Sequence, residues 1–344
     1  MPPGTGLNIT ETTMTRHLPT RFQTRLLPKL LLALAAAAAS PFVQAWTDKP
    51  VRMLVPAPAG GTMDIVARVL ADQLSADIGQ PVIVDNKPGA GGGIAVQALM
   101  AAPADGHTIM VTASNVLTEI PLLMKTGFDP LKDVRPVATV ARAGVVLVAG
   151  TAFPAQDLKG AVAYAKANPG KLSYASYSAG TSSHYAGAIF NQKAGLDLQH
   201  VPFQGSPPAL VQVMGGQVAL MFDGMATSLP QIKGGKLKAF GVGSKTRSVH
   251  LPDVPTMAEL GYPDIDFTNW IGTVVAAGVP AATVDKINAA TLKAASAPKV
   301  RDRLAAAGFE PNTGMTSAQL AQSVKVEFDR NAAIIKSFNI QLNQ

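Results

Sequence analysis

Apolar and polar positions after residue 50 follow a pattern that predicts strands and helices in turn. Val51 to Val55 is almost wholly apolar, which is typical of a buried strand, and Ile65 to Leu74 carries an apolar stripe at helical spacing. "PVIVD" predicts a second strand, Ile94 to Met100 a second helix, and "HTIMVTA" a third strand. This βαβαβ order predicts a parallel sheet with right-handed crossovers, in which the loops after the strands share one edge.

A second α/β series is predicted from "GVVLVAG" onwards. It comprises a helix from Leu158 to Ala167, the strand "KLSYAS", a helix from about Thr181 to Lys193, the strand "LQHVPF", a helix from Pro208 and the strand "VALMFD". A proline-rich stretch without periodicity follows. After "FTNWIGTVVAAGVP" the pattern predicts two more helices, Ala281 to Ala295 and Ala318 to Ser337, which we expect to return to the first domain.

The pattern therefore predicts two α/β domains joined by a hinge. We assign residues 46–146 and 270–344 to domain 1 and residues 147–269 to domain 2, with the chain crossing near residues 145 and 270. This is the layout of a clamshell that catches a ligand between the open ends of its strands.

Residues 1–45 have the pattern of a secretory signal peptide. Basic residues precede the apolar run "LLLALAAAAA", and small residues in "PFVQA" indicate cleavage before Trp46. The apolar run is shorter than the roughly 20 residues that span a bilayer. We therefore expect a cleaved leader and a periplasmic protein, with Met1 or Met14 as the initiator.

Composition narrows the function. The 344 residues are 47% hydrophobic and include no cysteine, which excludes disulfides, thiolate chemistry and a lipoprotein anchor. The net charge of +7 falls to +4 when the predicted leader, with its four basic residues and one acidic residue, is removed. A charge this small does not favour nucleic acid as a partner.

The usual catalytic signatures are missing from the sequence. There is no G-x-S-x-G, H-E-x-x-H or C-x-x-C motif, "GAGGGI" has Ile94 at the third glycine position of a dinucleotide fingerprint, and "GVGSKT" breaks the order of a phosphate loop. Ser182 and His184 are close in sequence, but no acid nearby is placed to orient the imidazole. No histidine stands at i, i+4 spacing to another ligand. We expect no catalytic metal and no cofactor, although calcium bound through Asp residues stays open.

Loops rich in glycine and hydroxyl groups recur at the predicted strand ends. They are "PAPAGGT", "NKPGAGGG", "ASN" and "SYSAGTSS", and Lys87 is their one cation. Such loops present backbone N–H groups and helix N-termini, which attract anions, so a carboxylate could be held there by dipoles and waters. The alternative is that the glycines merely permit tight turns.

A third group of residues ends two strands of the second series. Phe203 and Gln204 follow one strand, and Asp223 ends the next. A buried Asp223 would favour a ligand that bears an ammonium or hydroxyl group. The alternative role for Asp223 is a helix N-cap.

Several longer motifs resemble those of one family. "DKPVRMLVPAPAGGTMDIVAR", "GQPVIVDNKPGAGGGIA", "YASYSAGTSSHYAG", "HVPFQGSPPALVQVMGGQVALMFD" and "RSVHLPDVPTMAELGYP" stand here in the order and spacing of the receptors of the tripartite tricarboxylate transporter system, also called Bug receptors. The resemblance covers essentially all of residues 46–344. It implies a type II periplasmic binding-protein fold that delivers small organic acids, often di- or tricarboxylates, to a membrane permease. It also implies that Pro56 to Asp64 and Ser176 to Ser183 grip carboxylates, partly through ordered waters.

The sequence departs from the family pattern at three positions. Ala57 stands where Phe or Tyr is common, Gln204 where Lys is common, and Ser178 where Gly is common. The small Ala57 side chain should widen the pocket and remove a stacking surface. The complete set of predicted ligand-binding residues is Ala57, Pro58, Gly60, Gly61, Thr62, Asp64, Ser114, Asn115, Ser176, Ser178, Gly180, Thr181, Ser182, Phe203, Gln204 and Asp223.

The sequence thus predicts a monomeric, non-enzymatic receptor that closes on a small carboxylate and presents it to permease subunits. One alternative is a receptor that presents its closed form to a sensor kinase. A second is a periplasmic hydrolase that uses His184. The sequence does not name the carboxylate.

Overall fold

The chain folds as a mixed α/β protein in a computed structural model that describes residues 46–311 and 314–342. The predicted signal peptide, residues 1–45, lies outside the described residues. No helix within the described ranges has both the length and the apolar character needed to cross a bilayer.

Ten described strands form one sheet. Their bounds are β1 Val51–Val55, β2 Val82–Asn86, β3 Thr108–Ala113, β4 Val134–Gly150, β5 Leu172–Ser176, β6 Leu198–Pro202, β7 Leu220–Gly224, β8 Leu237–Gly243, β9 Thr268–Ala276 and β10 Glu310–Pro311. The order is β2-β1-β3-β9-β4-β7-β5-β6, and β8 and β10 also pair with β4.

Eleven described α-helices connect and flank the strands. Their bounds are α1 Thr62–Ile78, α2 Gly93–Met100, α3 Asn115–Thr118, α4 Ile120–Leu123, α5 Leu158–Lys166, α6 Ser182–Ala194, α7 Ser206–Met214, α8 Met225–Lys233, α9 Ala281–Ser296, α10 Pro298–Ala306 and α11 Ser317–Phe338.

Two sets of parallel strands confirm the predicted α/β series. β1 pairs in parallel with β2 and β3, and β5 pairs in parallel with β6 and β7. Four of the five residues of β1 are buried, as expected for an interior strand of a parallel sheet covered on both faces. The loops after these strands therefore lie at the carboxyl edges of the two parallel sets.

Strand β4 joins the two sets. Its residues 134–144 pair with β9, and from Val145 onwards it pairs with β7 on one side and β8 on the other. We call the strands on the β9 side the first region and those on the β7 and β8 side the second region. The change of partner after Gly144 and the start of β9 at Thr268 lie close to the crossings predicted near 145 and 270. The division into two domains nevertheless stays a prediction.

The start of β4 differs from expectation. The second series was expected to begin at "GVVLVAG", but β4 already starts at Val134. Pro136 and two arginines interrupt the apolar pattern there, and the pairing with β9 shifts register between Pro136 and Ala138. Proline removes a ladder donor, which explains both the irregular pairing and the weak strand pattern.

Each region has its own apolar core, and helix α11 contacts both. Leu320 and Val324 near its start pack in a first-region cluster with Leu54, whereas Ile335 and Phe338 near its end pack in a second-region cluster with Phe190. The helix begins with a capping box in which Thr316 and Gln319 satisfy each other's backbone N–H groups. The predicted C-terminal helix therefore forms, and its packing extends beyond the first region.

The pattern missed four helices. α3 and α4 have only four residues each, α8 contains Pro230, and α10 follows α9 after a single residue. None of these segments is long and regular enough for its apolar spacing to stand out from its neighbours.

Candidate functional site

A cavity of about 880 Å³, including its open mouth, lies between the loops that follow the parallel strands. The first region contributes the loop after β1, the glycine-rich loop after β2 and the start of α3. The second region contributes the loops after β5 and β6. The short β4 segment from Ala143 to Val145, where the strand changes partners, also lines the cavity. All four loops that the sequence singled out thus meet at one place.

The cavity brings nine of the sixteen predicted residues together. They are Ala57, Pro58, Gly61, Thr62, Asn115, Ser178, Thr181, Phe203 and Gln204. The other seven, which are not among the lining residues, are Gly60, Asp64, Ser114, Ser176, Gly180, Ser182 and Asp223. Most of these seven form hydrogen bonds to the loops, to lining residues or to each other, so they support the cavity wall without lining it.

The first loop, Pro56 to Gly61, is held by the buried carboxylate of Asp64. Its Oδ2 accepts hydrogen bonds from the Gly60 N–H at 2.8 Å and from Arg68 Nε at 2.9 Å. Its Oδ1 accepts from Asn86 Nδ2 at 2.9 Å, and the same amide also donates to the Ala57 carbonyl. Gly60 adopts φ +76°, a conformation that glycine reaches without strain. The carboxylate therefore fixes the turn that leads into α1.

The same contacts set the charge of Asp64. Burial raises the pKa of this carboxyl, but the hydrogen bonds from Arg68, Gly60 and Asn86 outweigh burial, so the pKa lies below its ordinary value. Asp64 is ionised at neutral pH and lies in the first turn of α1, where a negative charge is favourable.

The second loop, Tyr177 to Thr181, is held by neutral groups. The Gly180 N–H donates to His184 Nδ1 at 3.1 Å, and the Thr181 hydroxyl donates to the Ser178 carbonyl at 2.6 Å. His184 stacks on His200, with ring centroids 4.0 Å apart. Burial lowers the pKa of His184 to about 4 and that of His200 to about 3, so both rings are uncharged at neutral pH.

Ser182 and His184 do not form a nucleophile and base. The Ser182 hydroxyl donates to the carboxyl group of Glu119, while His184 Nδ1 accepts from Gly180. A hydrolytic pair would require the serine hydroxyl to donate to the imidazole. His184 instead supports the loop that lines the cavity.

Glu119, between α3 and α4, connects the two regions. Ser182 Oγ lies 2.6 Å and 2.8 Å from its two carboxyl oxygens, and Ser182 Oγ in turn accepts from Asn269 Nδ2 at 2.7 Å. The Ser114 hydroxyl donates to Asn269 Oδ1 at 2.8 Å. Complete burial raises the pKa of Glu119 to about 8, and the hydrogen bond from Ser182 offsets burial only in part. Ser182, the first residue of α6, is therefore already hydrogen-bonded to a carboxyl group of the protein, that of Glu119.

Asp223 is buried behind the cavity wall. Its Oδ2 accepts from the hydroxyls of Thr227 at 2.6 Å and Ser228 at 2.7 Å, and Oδ1 has no hydrogen-bond partner among the described residues. Burial raises the pKa of this carboxyl. The N-cap of α8 is Gly224 and not Asp223, so the alternative role as an N-cap does not apply. Gly224 and Ser206 separate Asp223 from the cavity.

The two regions touch where the loops face each other. A Cβ on Gly224 would lie 2.7 Å from Thr62 Oγ1, and a Cβ on Gly205 would lie 2.5 Å from the Pro58 ring. Both positions need glycine because the opposite loop comes so close. The cleft is consequently narrow at these two points, where the backbone of Gly224 and Gly205 in the second region lies against the side chains of Thr62 and Pro58 in the first.

Asn115 offers a bound ligand a polar group that no described residue already uses. Its side chain is buried and lines the cavity, yet its Oδ1 has no hydrogen-bond partner among the described residues. The amide can turn either its NH₂ group or its carbonyl towards a bound molecule or a bridging water.

Sequence reasoning missed Tyr177 and Asn269, which both line the cavity. Tyr177 lies inside "SYSAGTSS", where the glycines and small hydroxyl residues are the more obvious signal of an anion site. Asn269 is the second residue of β9, and its only signal in the sequence is a polar residue near a predicted crossing between the regions. Lys87, the cation noted among the loops, pairs with Asp85 at 3.6 Å and is not a lining residue.

Comparison with known proteins identifies the family. The model described as "Tripartite tricarboxylate transporter family receptor" matches residues 66–340. Among solved structures, the periplasmic binding protein BugD is 33% identical with a TM-score of 0.82, over 86% of this chain and 99% of that one.

Two further solved structures resemble the chain and contain a ligand. Rpa4515 of R. palustris with adipate is 28% identical, with a TM-score of 0.82 over 86% of this chain and 99% of that one. MatC of Rhodopseudomonas palustris with bound malate is 32% identical, with a TM-score of 0.79 over 84% of this chain and 99% of that one. The fold class and the prediction of a non-enzymatic binding protein are confirmed, and the chain belongs to the tripartite tricarboxylate transporter receptor family.

Proposed function

We propose that this protein is a periplasmic receptor that captures a small carboxylate and delivers it to the permease of a tripartite tricarboxylate transporter. In this proposal residues 46–146 and 270–344 form one domain, residues 147–269 form the other, and the leader is cleaved before Trp46. The observation that supports it most directly is that both regions line one shared cavity with loops that carry hydroxyl, amide and N–H groups.

The geometry suits reversible capture of an anion. Thr62 and Met63 at the N-terminus of the 17-residue helix α1 line the cavity, so the positive end of the helix dipole faces the ligand. Asn115 and Thr181 lie on the same cavity and supply further polar groups from each region. The malate and adipate in the related structures support a carboxylate ligand here.

Closure would couple binding to a change that a permease can recognise. The cavity is lined by β4 at Gly144 and Val145, where the strand passes from one region to the other, and by Asn269 near the start of β9. A ligand that contacts both regions binds the closed form better and shifts the population towards it.

Ligand-induced thermal stabilisation tests the binding function. We would measure the melting temperature of the mature chain with malate, adipate, hexanoate or 3-phenylpropanoate, each added separately. A ligand at a hundredfold excess over its Kd stabilises the folded state by about 2.7 kcal/mol, which corresponds to a rise of about 4 °C in the melting temperature of a chain of this size. Failure of all four acids to raise the melting temperature would contradict the proposal.

Asn115→Ala tests the site itself. The variant removes a polar group that faces the cavity and has no described partner for its Oδ1, so we expect the ligand-induced shift to fall at least by half while the unliganded melting temperature changes little. Asn168→Ala is the matched control, because Asn168 donates to the Tyr164 carbonyl away from the cavity. An undiminished shift in Asn115→Ala would exclude this residue from the site.

Uptake can be separated from signalling in cells. Deletion of the gene should abolish growth on the stabilising acid when that acid is the sole carbon source. Retained growth with a lost transcriptional response would favour the sensor-kinase alternative. Size-exclusion chromatography of the liganded protein tests the proposed monomer.

A further inference from the structure

A second cavity lies behind the strands that cross between the two regions. Its volume is about 1020 Å³, including its open mouth. The crossing segment of β4, Ala143 to Val145, lines both this cavity and the candidate functional site. On β9 the neighbours Thr268 and Asn269 separate, because Thr268 lines the second cavity and Asn269 the first. Since consecutive residues of a strand point to opposite faces, the two cavities lie on opposite faces of the crossing strands, and we call them the front cavity and the back cavity.

Both regions contribute to the wall of the back cavity. Strands β4 and β10 of the first region line it, and so do the loop after β8 and the start of α8 in the second region. Helix α11, which packs in the cores of both regions, also lines it. A ligand held in the back cavity would therefore contact both regions.

Six ionisable side chains line the back cavity, three of each sign. They are Arg142, Lys245, Arg330, Asp266, Glu310 and Glu327. None of the six makes a salt bridge within the part of the chain that the structure describes. The wall thus presents unpaired charges of both signs to whatever enters the cavity.

Unpaired charges are ordinary on an open surface, where water solvates them, but three of these six are partly withdrawn from water. Arg142, Asp266 and Glu327 are half-buried, and the other three are exposed. Burial raises the pKa of Glu327, and the charges of Arg330 and Arg142 offset that rise only in part. The half-buried group thus holds two acids and one cation, whereas the exposed group at the rim holds two cations and one acid.

This distribution favours a ligand that carries both charges. A ligand of one sign would be attracted by three of the side chains and repelled by the other three. A ligand with an ammonium at one end and a carboxylate at the other meets opposite charge at both ends. Its ammonium would face Asp266 and Glu327, and its carboxylate would face Lys245 and Arg330 at the rim. No group of acidic or histidine side chains among the described residues could hold a metal ion, so the acids of the back cavity do not form a metal site.

We propose that the back cavity is a second ligand site, which binds a small zwitterion such as a free amino acid, with its ammonium inward and its carboxylate at the rim. Hydroxyl residues of the loop after β8 line the same wall and supply further hydrogen bonds. The proposal goes beyond the carboxylate-binding function and does not depend on it, because the two cavities lie on opposite faces of the crossing strands.

Isothermal titration of the mature chain with three zwitterions tests the proposal. Glycine, 4-aminobutanoate and 6-aminohexanoate place the two charges at increasing separation, and each is compared with the acid and the amine that lack one of its charges. We expect at least one zwitterion to bind at least tenfold more tightly than its matched acid and its matched amine, because only the zwitterion pairs with both signs of the wall. No binding of any of the three, or equally tight binding of a matched acid or amine, would overturn the proposal.

Variants of the wall without one charge locate the binding. Asp266→Asn and Lys245→Gln keep a polar side chain, and neither residue has a salt bridge to lose among the described residues. We expect each to lower the affinity for the best-binding zwitterion about tenfold, while the melting temperature of the free protein changes little. The matched controls are Asp253→Asn and Lys236→Gln, which are exposed in the second region and line neither cavity, and they should change the affinity less than threefold.

Two other results would overturn the second site. Equal losses in the variants and in their controls would mean that only the overall charge of the protein matters. An affinity that falls tenfold in Asn115→Ala but stays unchanged in Asp266→Asn and Lys245→Gln would place the zwitterion in the front cavity. Neither result would contradict the proposed capture of a carboxylate, which the melting experiments with acids test separately.

Discussion

A buried carboxyl group supports the structure on each side of the cavity, but the two groups differ in charge state: Asp64 holds the first loop, and Glu119 holds Ser182 at the start of α6, next to the second loop. In the first loop Asp64 accepts from a guanidinium, a backbone N–H and an amide, and its pKa lies below the ordinary value. Glu119 accepts a hydrogen bond from the Ser182 hydroxyl of the second region and has no ion pair among the described residues, and burial raises its pKa to about 8. An ionised carboxylate thus anchors the first loop, whereas a carboxyl group that is largely neutral at pH 7 anchors the start of α6.

The difference shows that a nearby cation lowers the pKa of a buried carboxyl group. Arg68 is half exposed and still holds Asp64 in its ionised form, because charge-assisted hydrogen bonds recover the cost of burial. Glu119 has only neutral neighbours at hydrogen-bond distance. We therefore expect the first loop to keep its support from mildly acidic to basic pH and the start of α6 to be sensitive to pH in the neutral range.

Loss of Asp64 should have the largest effect on stability. Asp64→Ala leaves the Gly60 N–H and the Asn86 amide without their acceptor, and each orphaned donor costs about 1–3 kcal/mol. We expect the free energy of unfolding, measured by urea denaturation at pH 7, to fall by about 3 kcal/mol. The control Asp72→Ala on the same helix breaks only an exposed pair with Arg303 and should cost less than about 1 kcal/mol. Similar losses in the two variants would refute the special role of Asp64.

Glu119 should make stability fall as pH rises. Because its folded-state pKa of about 8 exceeds the ordinary 4.5, its contribution is fully present below pH 4.5 and is lost as pH rises through 8. We expect the free energy of unfolding to fall by about 3 kcal/mol between pH 5 and pH 8, because each unit of pKa shift corresponds to about 1.4 kcal/mol. Glu119→Gln keeps the size and polarity of the side chain and should remove most of this fall. Urea denaturation at both pH values measures it, and an unchanged slope in the variant would assign the pH dependence to other groups.

Asp64 and Glu119 also show what the sequence could and could not predict. The sequence indicates Asp64 because it follows a glycine turn in a family motif and lies in the first turn of a helix, and both features are local. Glu119 contacts Ser182, which is 63 residues away, and Asn269 reaches Ser182 over 87 residues. Contacts at such separations depend on how the two regions meet, and no local pattern encodes that. The one available signal was a lone acid within the apolar segment "NVLTEIPLL".

The fold was predictable to the extent that its elements are local. The apolar runs of β1 and β3 and the stripe of α1 specify a parallel unit because interior strands must be buried on both faces, and the apolar run of β2 adds the edge strand. The length of β4 was not predictable, since Pro136 and two arginines obscure its first ten residues. The loops were correctly placed at one cavity by the rule that parallel strands end at a common edge, whereas the apolar character of the wall emerged only from the structure.

A smaller effect is expected where the two loops touch, and it tests whether they act together. Gly224 has φ −64°, which alanine adopts freely, so Gly224→Ala adds no backbone strain but brings a Cβ to within 2.7 Å of Thr62 Oγ1. Either the Thr62 side chain turns away or the regions separate, and both should weaken the best-binding acid about tenfold, or 1.4 kcal/mol. In a double-mutant cycle titrated by calorimetry, the same substitution should cost much less in a Thr62→Ala background. Additive losses would mean that Gly224 acts through its own region, and the two differently anchored loops would then contribute to binding independently.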